Sequence, residues 1–129
     1  MNTSNQFVIL TPDVNGEVSH VDHGNIKREI TALGLNYKPV IGAYKDILEQ
    51  SYVVPVKSEA DVKALSKLSD GYSQECILYV DSNRAASLVF PDGRWHSVGR
   101  WQSVSNAKNL EAYTYDPQTN NYYTCLGGK

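Results

Sequence analysis

Apolar and polar positions along this chain switch between a strand-like and a helix-like period, and the switches mark its elements. Phe7-Val8-Ile9-Leu10-Thr11 is apolar on both faces, which predicts a central strand, and Pro12 ends it. Residues 1 to 5 ahead of it are polar and are expected to fray. Asp13-Val14-Asn15-Gly16 carries turn chemistry and opens a polar loop through His23 and Gly24. Ile26, Ile30, Leu33 and Leu35 then recur near helical spacing, with Asn25, Lys27, Arg28 and Glu29 facing out and Gly34 where a C-cap would sit. That predicts a helix over residues 22 to 33. Tyr37 to Ile41 is a short apolar run that Gly42 ends, and Tyr52, Val53, Val54 and Val56 are β-branched or aromatic, as strands prefer. The tight loop between these runs puts Tyr44 and Glu49 near facing strand ends.

Ser58-Glu59-Ala60-Asp61 opens a second helix, with Ser58 as N-cap and Asp61 in the capping-box place. Val62, Leu65 and Leu68, with Ala64, form its apolar face, and Asp70-Gly71-Tyr72 closes it. Cys76-Ile77-Leu78-Tyr79-Val80 is a β-prone run ended by Asp81-Ser82-Asn83. The remaining third reads as hairpins: Ala86 to Phe90, a Pro91-Asp92-Gly93 turn, Trp95 to Val98, and two Tyr-rich strands either side of Thr119-Asn120-Asn121. The expected fold is therefore α+β, a ferredoxin-like βαββαβ antiparallel sheet with two helices on one face and a C-terminal β-hairpin extension. The other face of such a sheet needs cover, from the extension or from a subunit partner. Residues 1–129 are expected to form a single domain, since a chain of this length buries roughly two-thirds of its unfolded surface.

Composition narrows the function classes. A net charge of −2, with no basic cluster longer than Lys27-Arg28, argues against nucleic acid as a partner. No apolar run approaches the roughly 20 residues that span a bilayer. The start, Met1-Asn2-Thr3-Ser4-Asn5-Gln6, lacks a basic and then apolar leader, so Cys76 and Cys125 are expected as reduced thiols in a cytoplasm. Nine Tyr against two Phe suggest many half-buried aromatic positions with a polar tip.

Candidate chemistry is sparse. His20 and His23 form an H-x-x-H pair, but zinc needs a third and fourth ligand and no nearby Cys or Glu has a recognised spacing, so no metal is expected. His96, beside Trp95, reads as a surface or interface residue, and Cys76 as a small inert hydrophobe. No Ser, His and Asp order suggests a nucleophile. On spacing alone, Tyr44 is a half-buried phenol, and Glu49, Gln74 and Glu75 are solvated strand-start residues.

A resemblance changes that weighting. The order Phe7-Val8-Ile9-Leu10, the helix around Asn25 to Leu33, Gly42-x-Tyr44, Glu49-x-x-x-Val53 and Ser73-Gln74-Glu75-Cys76-Ile77-Leu78 resembles the small phage S-adenosylmethionine lyases, formerly called hydrolases. The likeness continues through Ala86 to Phe90 and Leu110 to Tyr115, although each motif is short and degenerate. The same pattern is shared with a related phage and bacterial domain family of unknown function. The resemblance implies a PII-like homotrimer with clefts between subunits, a small-molecule substrate, S-adenosylmethionine, and no cofactor. It implies cleavage to 5′-methylthioadenosine and L-homoserine lactone, and an anti-restriction role in a host cytoplasm if a phage encodes the chain. Tyr44 and Glu49 map onto the catalytic positions, and Gln74 and Glu75 onto substrate binding. The chain departs from the pattern in a shorter loop between Tyr44 and Glu49, and in Thr11-Pro12-Asp13 at the end of the first strand. The alternative, on the same expected fold, is a non-enzymatic PII-like oligomer that binds an adenine nucleotide or a host protein.

Overall fold

The structure, a computed structural model, describes residues 6–127, so the expected fraying of residues 1 to 5 lies outside the described residues. The elements run β1 (Gln6–Leu10), α1 (His20–Ala32), β2 (Lys38–Tyr44), β3 (Ile47–Val56), α2 (Glu59–Asp70), β4 (Ile77–Val80), β5 (Ala85–Val89), β6 (Trp95–Val104), β7 (Ala112–Asp116) and β8 (Asn121–Gly127). Helix α1 starts two residues before the apolar period suggests, because the Ser19 hydroxyl accepts the Asp22 amide at 3.2 Å and caps it. His20 and His23 therefore lie on a helix rather than in a loop. The other end closes as a Schellman motif: Gly34, at φ +78°, donates to the Thr31 carbonyl, and Leu35 donates to that of Ile30. In α2 Ser58 is the cap, and the Asp61 carboxylate reaches back to the Lys57 amide rather than to that of Ser58.

Strand β2 does not stop at Gly42. It continues to Tyr44, and the turn is Lys45-Asp46, both at positive φ (49° and 67°), as a two-residue hairpin of type I′ requires. Gly42 sits mid-strand opposite Glu49, where a Cβ would come within 3.0 Å of the Ser51 hydroxyl.

The expected open, ferredoxin-like sheet does not form. The eight strands make a closed antiparallel barrel in the order β1-β3-β2-β7-β8-β6-β5-β4. The C-terminal strands are not a hairpin appended to a finished sheet but half of the wall. An open sheet would leave the outer edges of β2 and β4 with unpaired amides and carbonyls. Here β7 pairs with β2 from Ile41↔Tyr115 to Tyr44↔Ala112, β5 pairs with β4, and β6 joins β8 over six residue pairs. A bulge between Ala86 and Ser87, opposite Gly99 at φ +102°, bends β5 and β6 into the curve. Closure turns the sheet face that seemed to need a subunit to cover it into the barrel interior. The PII-like fold, on which both the lyase reading and its nucleotide-binding alternative were set, is therefore replaced by the barrel.

Two apolar layers follow from strand alternation. Phe7, Ile9, Val40, Val53, Val80, Ala86 and Trp101 fill the barrel. Trp101 is 5% exposed, stacked on Tyr123 and edge-on to Phe7. Val8, Leu10, Tyr52, Val54, Val56 and Ile77 alternate with these and face Ile26, Ile30, Val62 and Leu65 of the two helices outside. Among the described residues no helix is long and apolar enough to cross a membrane.

Polar residues enter the barrel in the interior phase at one end, where Lys38 Nζ meets the fully buried Asp116 carboxylate at 2.6 Å. Burial alone pushes the Asp116 carboxyl up, but hydrogen bonds from Lys38, Thr119 and the Gln118 amide hold it below the usual carboxylate value. A depressed folded pKa makes this contribution fully present above the unfolded value of about 3.9, and it is lost as pH falls through the folded value. Lys38→Met should cost about 1–3 kcal/mol at pH 7 and flatten the loss of stability below about pH 4, which urea unfolding at both ends of that window would measure.

Candidate functional site

The other end of the barrel, where β1 leaves and β3 and β4 begin, gathers the chemistry-bearing residues. Tyr44 pairs with Ile47 and Gly42 with Glu49, so Tyr44 and Glu49 are diagonal neighbours on one strand face. Their phase is that of Val40 and Val53, which line the barrel, so they sit at its mouth. Tyr44 is 54% exposed, with the Lys45 ammonium 5.2 Å from its ring centroid. Glu49 is half-buried.

The loop between β1 and α1 crosses this mouth. Its turn, Asn15-Gly16, has both residues at positive φ (52° and 79°) and is closed by the bond from the Glu17 amide to the Val14 carbonyl at 2.9 Å. The Gly16 amide donates to Glu49 Oε2 at 3.3 Å. Among the described residues the other carboxylate oxygen of Glu49 has no hydrogen bond, and no Lys, Arg or His forms an ion pair with it. A half-buried carboxylate with one weak donor can still accept a cation, since its desolvation is only partly offset. A concavity of about 330 Å³ beside it is lined by Pro39, Ile41, Leu48, Glu49, Gln50 and Pro117. A larger groove, about 730 Å³, runs between α1 and α2 past Arg28, Glu29, Lys67 and Tyr72 and contains none of the four sequence-selected residues.

The two strand-start residues separate. Gln74 is half-buried, and its side-chain amide donates to the Asp13 carbonyl at 2.6 Å, so it ties down the same loop that touches Glu49. Glu75 is exposed. Its charge, after burial, helps push the Cys76 thiol up. Burial pushes the Cys125 thiol up to about 11, and both cysteines are unpaired. His96 is exposed on β6.

A cluster that spacing did not single out lies behind the loop. His23 Nε2 is 2.6 Å from Asp13 Oδ1, and His23 Nδ1 is 2.6 Å from the Tyr52 hydroxyl. Both ring nitrogens are thus engaged, which takes His23 out of the H-x-x-H ligand pair. Among the described residues no group of three or more His, Cys, Asp or Glu is placed to hold a metal ion. The sequence carried two signals for the cluster: the Ser19-x-x-Asp22 cap, and the place of His23 three and seven residues before Ile26 and Ile30, on the buried helix face.

The family model that matches the chain is described as the S-Adenosylmethionine lyase family, and it covers residues 13–126. No curated protein matches.

The loop geometry depends on Gly16, because a Cβ there would meet Ile47 Cγ2 at 3.0 Å in a backbone conformation L-residues resist. Gly16→Ala should cost about 1–2 kcal/mol for the backbone alone. The total should exceed that of Gly93→Ala, whose φ is also positive (+94°) but whose Cβ would meet nothing within 4 Å. Parallel urea titrations of the two variants make the comparison.

Proposed function

The chain belongs to the S-adenosylmethionine lyase family, and we propose on that premise that it cleaves S-adenosylmethionine to 5′-methylthioadenosine and L-homoserine lactone at the barrel mouth around Glu49. The family match over residues 13–126 carries this reading. The half-buried Glu49 carboxylate, which has no ion-pair partner among the described residues, supports putting the site there.

The reaction asks little of the protein. A carboxylate oxygen of the substrate attacks its own γ-carbon, the carbon–sulfur bond breaks, and its electron pair neutralises the sulfonium. No proton moves in that step, so no general acid or base is needed. What helps is selection of the folded conformer and partial removal of water from the reacting charges. Glu49 would hold the substrate α-ammonium. Tyr44 would orient the amino-acid portion or face the sulfonium, an aromatic contact worth about 0.5–2 kcal/mol. The Lys45 ammonium, 5.2 Å from the Tyr44 ring centroid, would have to swing aside for a sulfonium to take that ring face. Gln74 and Glu75, at the start of β4 on the same end of the barrel, would complete substrate binding. If a phage encodes the chain, this activity would serve an anti-restriction role in the host cytoplasm by removing the cofactor of methylation.

Micromolar enzyme incubated with S-adenosylmethionine should release methylthioadenosine, seen by chromatography; none after hours rejects the activity. Glu49→Gln keeps the shape and removes the charge. Loss of a paired charge costs about 2–5 kcal/mol, roughly 30-fold or more in kcat/KM, whereas a solvated carboxylate would cost almost nothing. A folded Glu49→Gln with wild-type kcat/KM moves the site elsewhere.

A homotrimer remains part of this proposal, supported by the family resemblance and by apolar side chains exposed at the mouth: Val14 (43%), Tyr44 (54%), Ile47 (42%) and Leu48 (55%). Light scattering at micromolar concentration should give the mass of three 14.3 kDa chains, and a single-chain mass removes the between-subunit site.

A further inference from the structure

The least economical feature of the structure is a chain of three polar side chains in its core. Asp13 is 2% exposed, His23 5% and Tyr52 0%. Apolar residues of the same volume would avoid the desolvation that these groups incur. Every polar atom of the chain is instead engaged. With Asp13 ionised and His23 neutral, His23 Nε2 donates to Oδ1 and His23 Nδ1 accepts the Tyr52 hydroxyl proton. Burial, with the charge of Asp13, pushes the Tyr52 phenol up to about 12, which keeps that proton in place. The arrangement has the polarity of a nucleophile triad, but no substrate reaches a hydroxyl that is fully buried under α1.

What the chain does hold is the loop. Asp13 is fixed at four points: Oδ1 by His23, Oδ2 by the Gln50 amide at 3.1 Å, its carbonyl by Gln74 Nε2, and its amide by the Thr11 hydroxyl at 3.0 Å. Gly16 follows three residues later, at the far end of the tight turn closed by Val14 and Glu17, so Asp13 and Gly16 move together. The contact at the end of this arm, from the Gly16 amide to Glu49 at 3.3 Å, is longer than the bonds that anchor its base. A small displacement at Asp13 is enough to break it, because hydrogen bonds weaken steeply with distance and angle.

We propose that Asp13, His23 and Tyr52 are positioning residues for Glu49: the buried Tyr52–His23–Asp13 chain sets the Asp13–Gly16 arm so that the Gly16 amide fixes the Glu49 carboxylate toward the substrate's cationic group. This rests on the assignment of Glu49 to the substrate site. The chain touches neither substrate nor reacting atoms and acts only through the loop.

Tyr52→Phe removes one hydroxyl and leaves the ring in the core, and His23→Gln removes the link itself while keeping a polar side chain; the first serves where the second fails to fold. In folded Tyr52→Phe, the Gly16 amide should exchange with deuterium about tenfold faster by NMR, and KM for S-adenosylmethionine should rise roughly tenfold or more with kcat little changed, because a misplaced Glu49 loses binding common to ground and transition states. In a Glu49→Gln background the same substitution should leave KM where Glu49→Gln put it. Wild-type Gly16 exchange and KM in folded Tyr52→Phe overturn the proposal, and so does a KM increase of the same size in the Glu49→Gln background. If the wild-type protein turns over no S-adenosylmethionine, the activity falls separately, and unchanged Gly16 exchange in Tyr52→Phe still overturns the positioning role.

Discussion

Closure of the sheet is the constraint on which the rest depends. A backbone amide or carbonyl at a strand edge must find a partner or stay in water, and eight strands wound antiparallel into a ring leave no edge in the wall. Once β7 takes the outer edge of β2 and β5 that of β4, each strand acquires two different surroundings. One side packs into the barrel around Trp101 and Phe7, and the other meets the helices or solvent. The alternation in β1 and β3, apolar on both faces, reflects this double burial.

The barrel ends differ in chemistry because the wall supplies different devices there. At one end an ion pair, Lys38 with Asp116, closes the interior, and the donors around Asp116 outweigh the cost of its burial. At the other, the wall opens into a type I′ hairpin and a loop that folds back across it. That end exposes apolar side chains, carries a carboxylate with no cation partner among the described residues, and is anchored from behind by buried polar bonds rather than by packing alone. In the proposed role of Glu49, such support would hold the carboxylate in position while one of its oxygens, unpartnered among the described residues, stays open to a ligand.

A sulfonium substrate asks for only modest equipment, because its leaving group is already activated. On the proposed lactone-forming route its nucleophile is also already ionised, and the protein's share of the work would be conformational and electrostatic. This accounts for a chain with a family match to S-adenosylmethionine lyases and no recognisable acid, base or nucleophile constellation in its sequence.

The order and type of the elements through β4, the caps at Ser58 and Gly34, the hairpin with Tyr44 and Glu49 near facing strand ends, and the family itself were determined by the sequence. Periodicity, turn chemistry and capping act between residues a few positions apart, so they can be read locally. The start of α1 at Ser19 and the continuation of β2 through Gly42 were equally local but weaker signals: a cap among polar residues, and a glycine that serves close approach rather than a turn. Tertiary structure alone decided that the strands close into a barrel, that Trp101 lies inside it, and that Asp13, His23 and Tyr52 meet. The physical reason is separation along the chain: β2 finds β7 from beyond four intervening strands, Lys38 finds Asp116 across 78 residues, and Tyr52 finds His23 across 29. No local preference encodes such partners; they are chosen because, of the ways to pair all edges and bury all apolar faces at once, this closure satisfies both.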